Sequence, residues 1–153
     1  MSGAGAPQLE IDASGLQIAV LATTWHANIT DGLLAGAERA LKAAGNSEYE
    51  IWRVPGAFEL PLAAKYAIEA GADVVIALGV VIRGSTPHFE YVCNAATDGL
   101  TRVQLDTGVP IGFGLLTVDT EQQALDRAGL PNSKEDKGQE AVEAAVLMAR
   151  LKA

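Results

Sequence analysis

Two rhythms of hydrophobic positions alternate along this chain: short unbroken apolar runs, and longer stretches with apolar residues three or four apart. Residues 17–22 (QIAVLA) form an apolar, partly β-branched run of strand length. After a polar interruption, Ile29, Leu33, Leu34, Ala37 and Leu41 recur at helical spacing, and Gly45-Asn46 stops the helix. Glu50–Val54 (EIWRV) predicts a second strand, closed by Pro55-Gly56. Pro61 suits the first turn of the next helix, where its missing N–H costs little, and Gly71 ends that helix after about Ala70. Val74–Ile82 is almost wholly apolar, the signature of a strand covered on both faces.

The remaining pattern predicts a third helix opened by Ser85-Thr86-Pro87 and running to about Thr107, then a fourth strand over residues 109–117. A short helix over residues 120–128 carries Glu121 in its first turn, a polar loop spans 129–136, and an Ala-rich helix spans 137–151. Residues 1–15, small and polar, read as a flexible arm ahead of one domain over 16–153. The order β-α-β-α-β-α-β-α-α predicts an α/β fold, a parallel sheet with helices on both faces. Ligands of such folds bind beyond the C-terminal ends of the strands, here the loops 23–28, 55–59, 83–88 and 116–120.

Composition narrows the function classes. With 153 residues, 49% of them apolar and 20% charged, the chain is one domain able to bury a core. Only 5% are aromatic, so Ala, Val, Ile and Leu must fill that core. A formal net charge of −8 argues against a nucleic-acid partner, which requires clustered cations. The single cysteine, Cys93, excludes an intrachain disulfide and a thiolate-cage metal site, and no His, Cys or carboxylate cluster has ligand spacing, so no metal is expected. The first basic residue is Arg39, unlike a signal or transit peptide, and the longest apolar run is about half the ~20 residues of a membrane helix. The expectation is a cytoplasmic protein with no membrane partner.

The loop after the third strand is the richest in chemistry, reading GVVIRGSTPHF from Gly79 to Phe89. Gly84 permits close backbone approach, Ser85 and Thr86 add hydroxyls, Arg83 stands at the entrance, and the following helix presents a positive N-terminus. A phosphate fits this description, and so does plain helix capping. The Gly79-x4-Gly84 spacing has the outline of a P-loop, but Ser85 stands where the lysine belongs, which excludes a nucleoside triphosphate. His88 beside this loop is either a proton-transfer group or a hydrogen-bonded histidine without chemistry.

Trp25 is either a lid over the core or a ring-stacking platform, and His26 beside it reads as structural. Glu59, in Pro55-Gly56-Ala57-Phe58-Glu59, either caps the next helix or accepts hydrogen bonds from ligand hydroxyls. Trp52 reads as packing, and Cys93 as a small hydrophobe. Arg127, Lys134 and Lys137 bring scarce positive charge to the C-terminal segment, as a solvated face or as an anion clamp completed across a subunit boundary.

Taken with the segments Gly56-Ala57-Phe58-Glu59, 79–91 (GVVIRGSTPHFEY), 114–117 (GLLT), 121–129 (EQQALDRAG) and 136–138 (DKG), the chain after the arm resembles the lumazine synthase family. The Ile-Arg-Gly-x-Thr-x-His run is the most specific of these. The resemblance implies a flavodoxin-like three-layer sandwich whose four parallel strands lie in the order 2-1-3-4. It implies a homopentamer with sites between adjacent subunits and small-molecule substrates: 5-amino-6-(D-ribitylamino)uracil and 3,4-dihydroxy-2-butanone 4-phosphate. The products would be 6,7-dimethyl-8-ribityllumazine, phosphate and water, in the penultimate step of riboflavin synthesis.

Carried over by position, the resemblance implies that Trp25 stacks on the heterocycle and that Ala57, Phe58 and Glu59 hold the ribityl chain and pyrimidine. Val81 and Ile82 would line the pyrimidine pocket with backbone, and Phe113 would come from the adjacent subunit. Gly84, Ser85 and Thr86 would form the phosphate loop, met by Arg127 of the neighbouring subunit, with His88 moving protons and Lys137 completing the site. His26 stands where many members have asparagine. The connection from Arg127 to Lys137 is longer than in some shell-forming relatives, which points to a free pentamer. No cofactor is expected, because an amine and a ketone condense without one. The alternative is a non-catalytic flavin-type binder or shell-forming scaffold on the same fold.

Overall fold

The computed structural model describes residues 4–152. Its elements run β1 (Ile18–Thr23), α1 (Ala27–Ala43), β2 (Glu50–Val54), a 3-10 turn (Ala57–Glu59), α2 (Leu60–Glu69), β3 (Val74–Ile82), α3 (His88–Thr107), β4 (Ile111–Val118), α4 (Glu121–Leu125) and α5 (Lys137–Lys152). The four strands pair in parallel in the order β2-β1-β3-β4, as expected. The sheet places β3 inside, with β1 on one side and β4 on the other.

Period-two alternation divides the core between the two faces of the sheet. Ile18, Val20 and Ala22 of β1 join Ile76 and Leu78 of β3 under Leu33, Ala37 and Leu41 of α1 and Val142 and Val146 of α5. Ala19 and Leu21 join Val75 and Ala77 against Leu60 and Ala64 of α2 and Ala96 and Leu100 of α3. Both strands are therefore apolar at nearly every position, because each side chain finds a helix over it. Trp52 is partly buried against the second cluster, in keeping with a packing role.

Three boundaries differ from expectation by more than one residue. Helix α3 begins at His88 rather than at Ser85-Thr86-Pro87, with Pro87 as its N-cap residue. Strand β4 begins at Ile111 rather than 109, because α3 ends at Gly108 in the left-handed region (φ 70°) and the chain needs Val109 and Pro110 to turn back. Helix α4 ends at Leu125, because the Asp126 carbonyl accepts from the N–H groups of Lys134 (2.8 Å) and Glu135 (2.9 Å). The expected polar loop 129–136 is thus the tip and return arm of a hairpin, closed by an antiparallel bridge between Ala128 and Asp136.

Of the stretch expected as an arm, residues 1–3 lie outside the described residues, as does Ala153 at the end of the expected domain. Residues 6–13 have no helix or strand, yet Ala13 is fully buried, and Arg150 of α5 donates to the carbonyls of Asp12 (2.9 Å) and Ser14 (2.8 Å). No helix among the described residues is long and apolar enough to cross a membrane.

Helices α1 and α5 pack tightly at Gly138, where an added Cβ would collide with the Leu33 carbonyl oxygen. Such contact is with backbone, which cannot step aside. Gly138→Ala is expected to lower unfolding free energy by about 1–3 kcal/mol, read as a lower urea midpoint at unchanged slope.

Candidate active site

All four strands end at the same side of the sheet, so the loops that follow them converge. The loop after β1 is set by an unusual residue. His26, the N-cap of α1, adopts φ 52°, ψ 63°, and is the one non-glycine residue with positive φ among those described. Its carbonyl accepts from Ile29 (2.9 Å) and Thr30 (3.0 Å), while the Thr30 hydroxyl donates to the Trp25 carbonyl at 2.8 Å. The tight start of α1 leaves the Trp25 side chain 65% exposed beside the loop that follows β2.

A cleft of about 550 Å³ lies there. Seven expected site residues line it: Trp25, Ala57, Phe58, Glu59, Val81, Ile82 and His88. His26, Tyr91 and Val92 line it as well. Phe58 is 64% exposed, so the cleft presents two aromatic faces from two different loops. Glu59 occupies the N-cap position of α2, but its carboxylate makes no capping hydrogen bond. Of the two readings of that carboxylate, capping is the one its geometry disfavours. Tyr91 escaped sequence reasoning, although its spacing of one helical turn from His88 was a usable signal.

Gly84, Ser85 and Thr86 are exposed between β3 and α3. A Cβ on Gly84 would meet nothing within 4 Å, and its φ lies outside the left-handed region, so the fold of the chain itself does not require glycine there. The Thr86 hydroxyl accepts from the His88 N–H at 3.4 Å, a weak version of the expected cap. Arg83 is not an open anion ligand. Its Nε donates to Asp119 at 2.8 Å, another guanidinium nitrogen pairs with Glu90, and the guanidinium lies 4.4 Å from the centre of the Phe89 ring. These partners hold the Arg83 proton more firmly than usual, and Arg83 in turn holds the Glu90 carboxyl below the ordinary carboxylate range. Arg83 thereby ties the end of β3 to the start of α3 and to the residue that follows β4.

The other expected residues are elsewhere. Phe113, Arg127 and Lys137 line a separate cleft of about 490 Å³ between β4 and α5, together with Glu140. One chain does not bring these three together with the seven of the first cleft. Arg127 donates to the Gln123 carbonyl at 2.8 Å and pairs with Glu135 at 3.5 Å. Lys137 pairs with Glu135 at 3.4 Å and Glu140 at 3.2 Å. Lys134, grouped with them from sequence, is exposed. Glu135 was missed because nothing in its local sequence signals burial. Cys93 is half-buried in α3, and burial pushes its thiol up, consistent with a small hydrophobe.

Known proteins resemble this chain over nearly its whole length. Residues 15–153 match the family model described as 6,7-dimethyl-8-ribityllumazine synthase. Proteins of that name are similar over nearly the full length of both chains. The one from Kineococcus radiotolerans is 66% identical over 146 residues, 95% of this chain and 91% of its own. The one from Leifsonia xyli subsp. xyli is 64% identical over 151 residues, covering 97% and 95%. The one from Clavibacter sepedonicus is 62% identical over 154 aligned positions, covering 99% and 96%.

The Arg83 tie makes a local prediction. Arg83→Ala is expected to speed amide hydrogen exchange across residues 83–88 by about tenfold while the middle of β3 stays protected. Unchanged exchange would show that the loop is held by other contacts.

Proposed function

The chain belongs to the 6,7-dimethyl-8-ribityllumazine synthase family, and from that premise we propose how its own residues carry out the family's chemistry. It is a transferase of riboflavin synthesis, condensing 5-amino-6-(D-ribitylamino)uracil with 3,4-dihydroxy-2-butanone 4-phosphate. The products are 6,7-dimethyl-8-ribityllumazine, phosphate and water. The non-catalytic scaffold reading is not favoured, since the relatives are named for the synthase. The setting we propose is the cytoplasm, with small-molecule substrates and neither membrane nor nucleic-acid partner. Residues 16–153 act as the single catalytic domain and residues 1–15 as an arm.

What carries the detailed reading is the division of the site residues between two clefts of one chain. A complete site forms when the first cleft of one subunit meets the second cleft of its neighbour, in a free ring of five copies. Trp25 and Phe58 then stack on the pyrimidine, Glu59 and Ala57 hold the ribityl chain, and Val81 and Ile82 offer backbone to the ring edge. The phosphate sits on Gly84, Ser85, Thr86 and the N-terminus of α3. Arg127 and Lys137 of the neighbouring subunit, with Phe113, close the site from the far side. The glycine that the chain does not need at 84 is explained by close approach of that phosphate.

The chemistry asks for orientation and proton movement. The uracil amine attacks the ketone, and loss of water gives an imine. Phosphate is then eliminated, and ring closure with a second dehydration completes the pyrazine ring. No protein nucleophile is required, because the substrates supply both the amine and the carbonyl. His88, lining the cleft beside the phosphate loop, moves protons at these steps. Arg127 and the helix N-terminus stabilise the departing phosphate.

Incubating the purified chain with both substrates should yield lumazine absorbance and an equal amount of inorganic phosphate, and no product at high enzyme concentration would sink the assignment. His88→Ala should lower kcat by about tenfold to a hundredfold without abolishing it, whereas an unchanged rate removes His88 from the mechanism. Arg127→Ala should act mainly on KM for the phosphate-bearing substrate, raising it about tenfold or more. Co-assembling Trp25→Ala chains with Arg127→Ala chains should restore about a quarter of the sites, since an intact half from each then meets at some boundaries. Absence of any restoration in mixed rings of confirmed mass would contradict a shared site.

A further inference from the structure

The hairpin that carries Arg127 and Lys137 also buries a carboxylate behind them. In the antiparallel bridge between Ala128 and Asp136, Arg127 stands opposite Lys137, and Glu135, two residues before Lys137, belongs to the same face. The Lys137 N–H donates to the Arg127 carbonyl at 3.0 Å and the Gly129 N–H to the Glu135 carbonyl at 3.0 Å, which fixes that register. Two cations placed directly opposite one another repel. Glu135 answers both, with Oε2 3.5 Å from Arg127 Nε and Oε1 3.4 Å from Lys137 Nζ.

Three features separate this carboxylate from an ordinary surface ion pair. Its side chain is 12% exposed, so solvent screens it little. Its Oε1 is enclosed and accepts no hydrogen bond, so charge rather than hydrogen bonding holds that oxygen. Arg127 and Lys137 line the cleft, whereas Glu135 is not part of the lining and stands behind them. With Glu140 on the far side of Lys137, the four formal charges cancel. A phosphate dianion entering the cleft must draw on cations whose charge is already partly spent inside the protein.

We propose that Glu135 is a positioning residue whose charge sets how tightly Arg127 and Lys137 hold phosphate, weakening retention so that the product phosphate leaves. This rests on the reading of those two cations as phosphate ligands. Glu135 itself touches no substrate. It acts through the field it exerts on the two cations and through the spacing it gives them.

The test compares Glu135→Gln, which keeps the shape and removes the charge, with Glu135→Asp, which keeps the charge. Inhibition of turnover by added inorganic phosphate should tighten about tenfold in Glu135→Gln, an effect expected of one unscreened unit charge at this range. KM for the phosphate-bearing substrate should fall with it, KM for the uracil should not move, and Glu135→Asp should stay near the wild type. Glu135→Ala carries the same expectation as Glu135→Gln with a smaller side chain. Phosphate inhibition that is unchanged or weaker in both charge-removing variants overturns the proposal. A parallel shift in the uracil KM overturns it too, since that marks general damage to the site. Calorimetry with inorganic phosphate alone separates this proposal from the assigned reaction. If the wild type makes no lumazine, yet Glu135→Gln binds phosphate more tightly than wild type, the role of Glu135 stands and the reaction falls.

Discussion

Strand β3 is bonded along both edges and covered on both faces, and the position of every functional loop follows from that enclosure. A strand with no side open to water must be apolar throughout, and in a parallel sheet its neighbours must run the same way. Parallel running then forces every strand to end at one side, which is where the chain can afford polar side chains. Trp25, Phe58, Glu59 and His88 come from three separate loops and share a cleft because β1, β2 and β3 end together. Arg83 braces that end by joining three segments at once. The chemistry sits where the buried strand emerges from its cover.

The second cleft obeys a different constraint. Its cations are delivered by a hairpin of backbone hydrogen bonds between Asp126 and Lys137 rather than by the sheet. Asp136 anchors that hairpin through Arg39 of α1 at 3.1 Å and caps α5 by accepting from Gln139 at 3.0 Å. Position is thereby bought with backbone geometry, and the electrostatic strain of two adjacent cations is relieved by Glu135 and Glu140. Each cleft is open on its own, and in the proposed ring each finds its missing wall on a neighbour.

Much of this was legible in the sequence, for reasons tied to particular residues. The unbroken run Val74–Ile82 announced a buried strand, and the β-α alternation fixed the class of fold. Of the seven expected residues in the first cleft, Trp25, Ala57, Phe58, Glu59 and His88 fall in stretches after strands that chain order marks as convergent, whereas Val81 and Ile82, at the end of β3, were signalled only by the family resemblance. Other features were hidden. Ser85 and Thr86 resemble helix-opening residues, but Pro87 takes the N-cap position and delays the helix to His88. The stretch after Arg127 looked like solvated loop because its residues are polar, while backbone pairing across Ala128 and Asp136 made it a hairpin. Burial of Glu135 depends on which side chains meet across that hairpin, and such meetings leave no local mark. Nor does periodicity reveal that Phe113, Arg127 and Lys137 face a different cleft from His88, because that separation depends on how α4 and α5 pack on the sheet.

The left-handed backbone at His26 has a consequence for how this position can vary over time. Residues branched at Cβ are strained there, whereas glycine, asparagine, aspartate and histidine enter that region at modest cost. The vocabulary open to the site is therefore written by the peptide torsions rather than by ligand chemistry. Asparagine is compatible with that backbone, so the entry into α1 does not itself demand histidine. The turn beneath this residue thus restricts which side chains can stand at the mouth of the cleft before any contact with a bound molecule is counted.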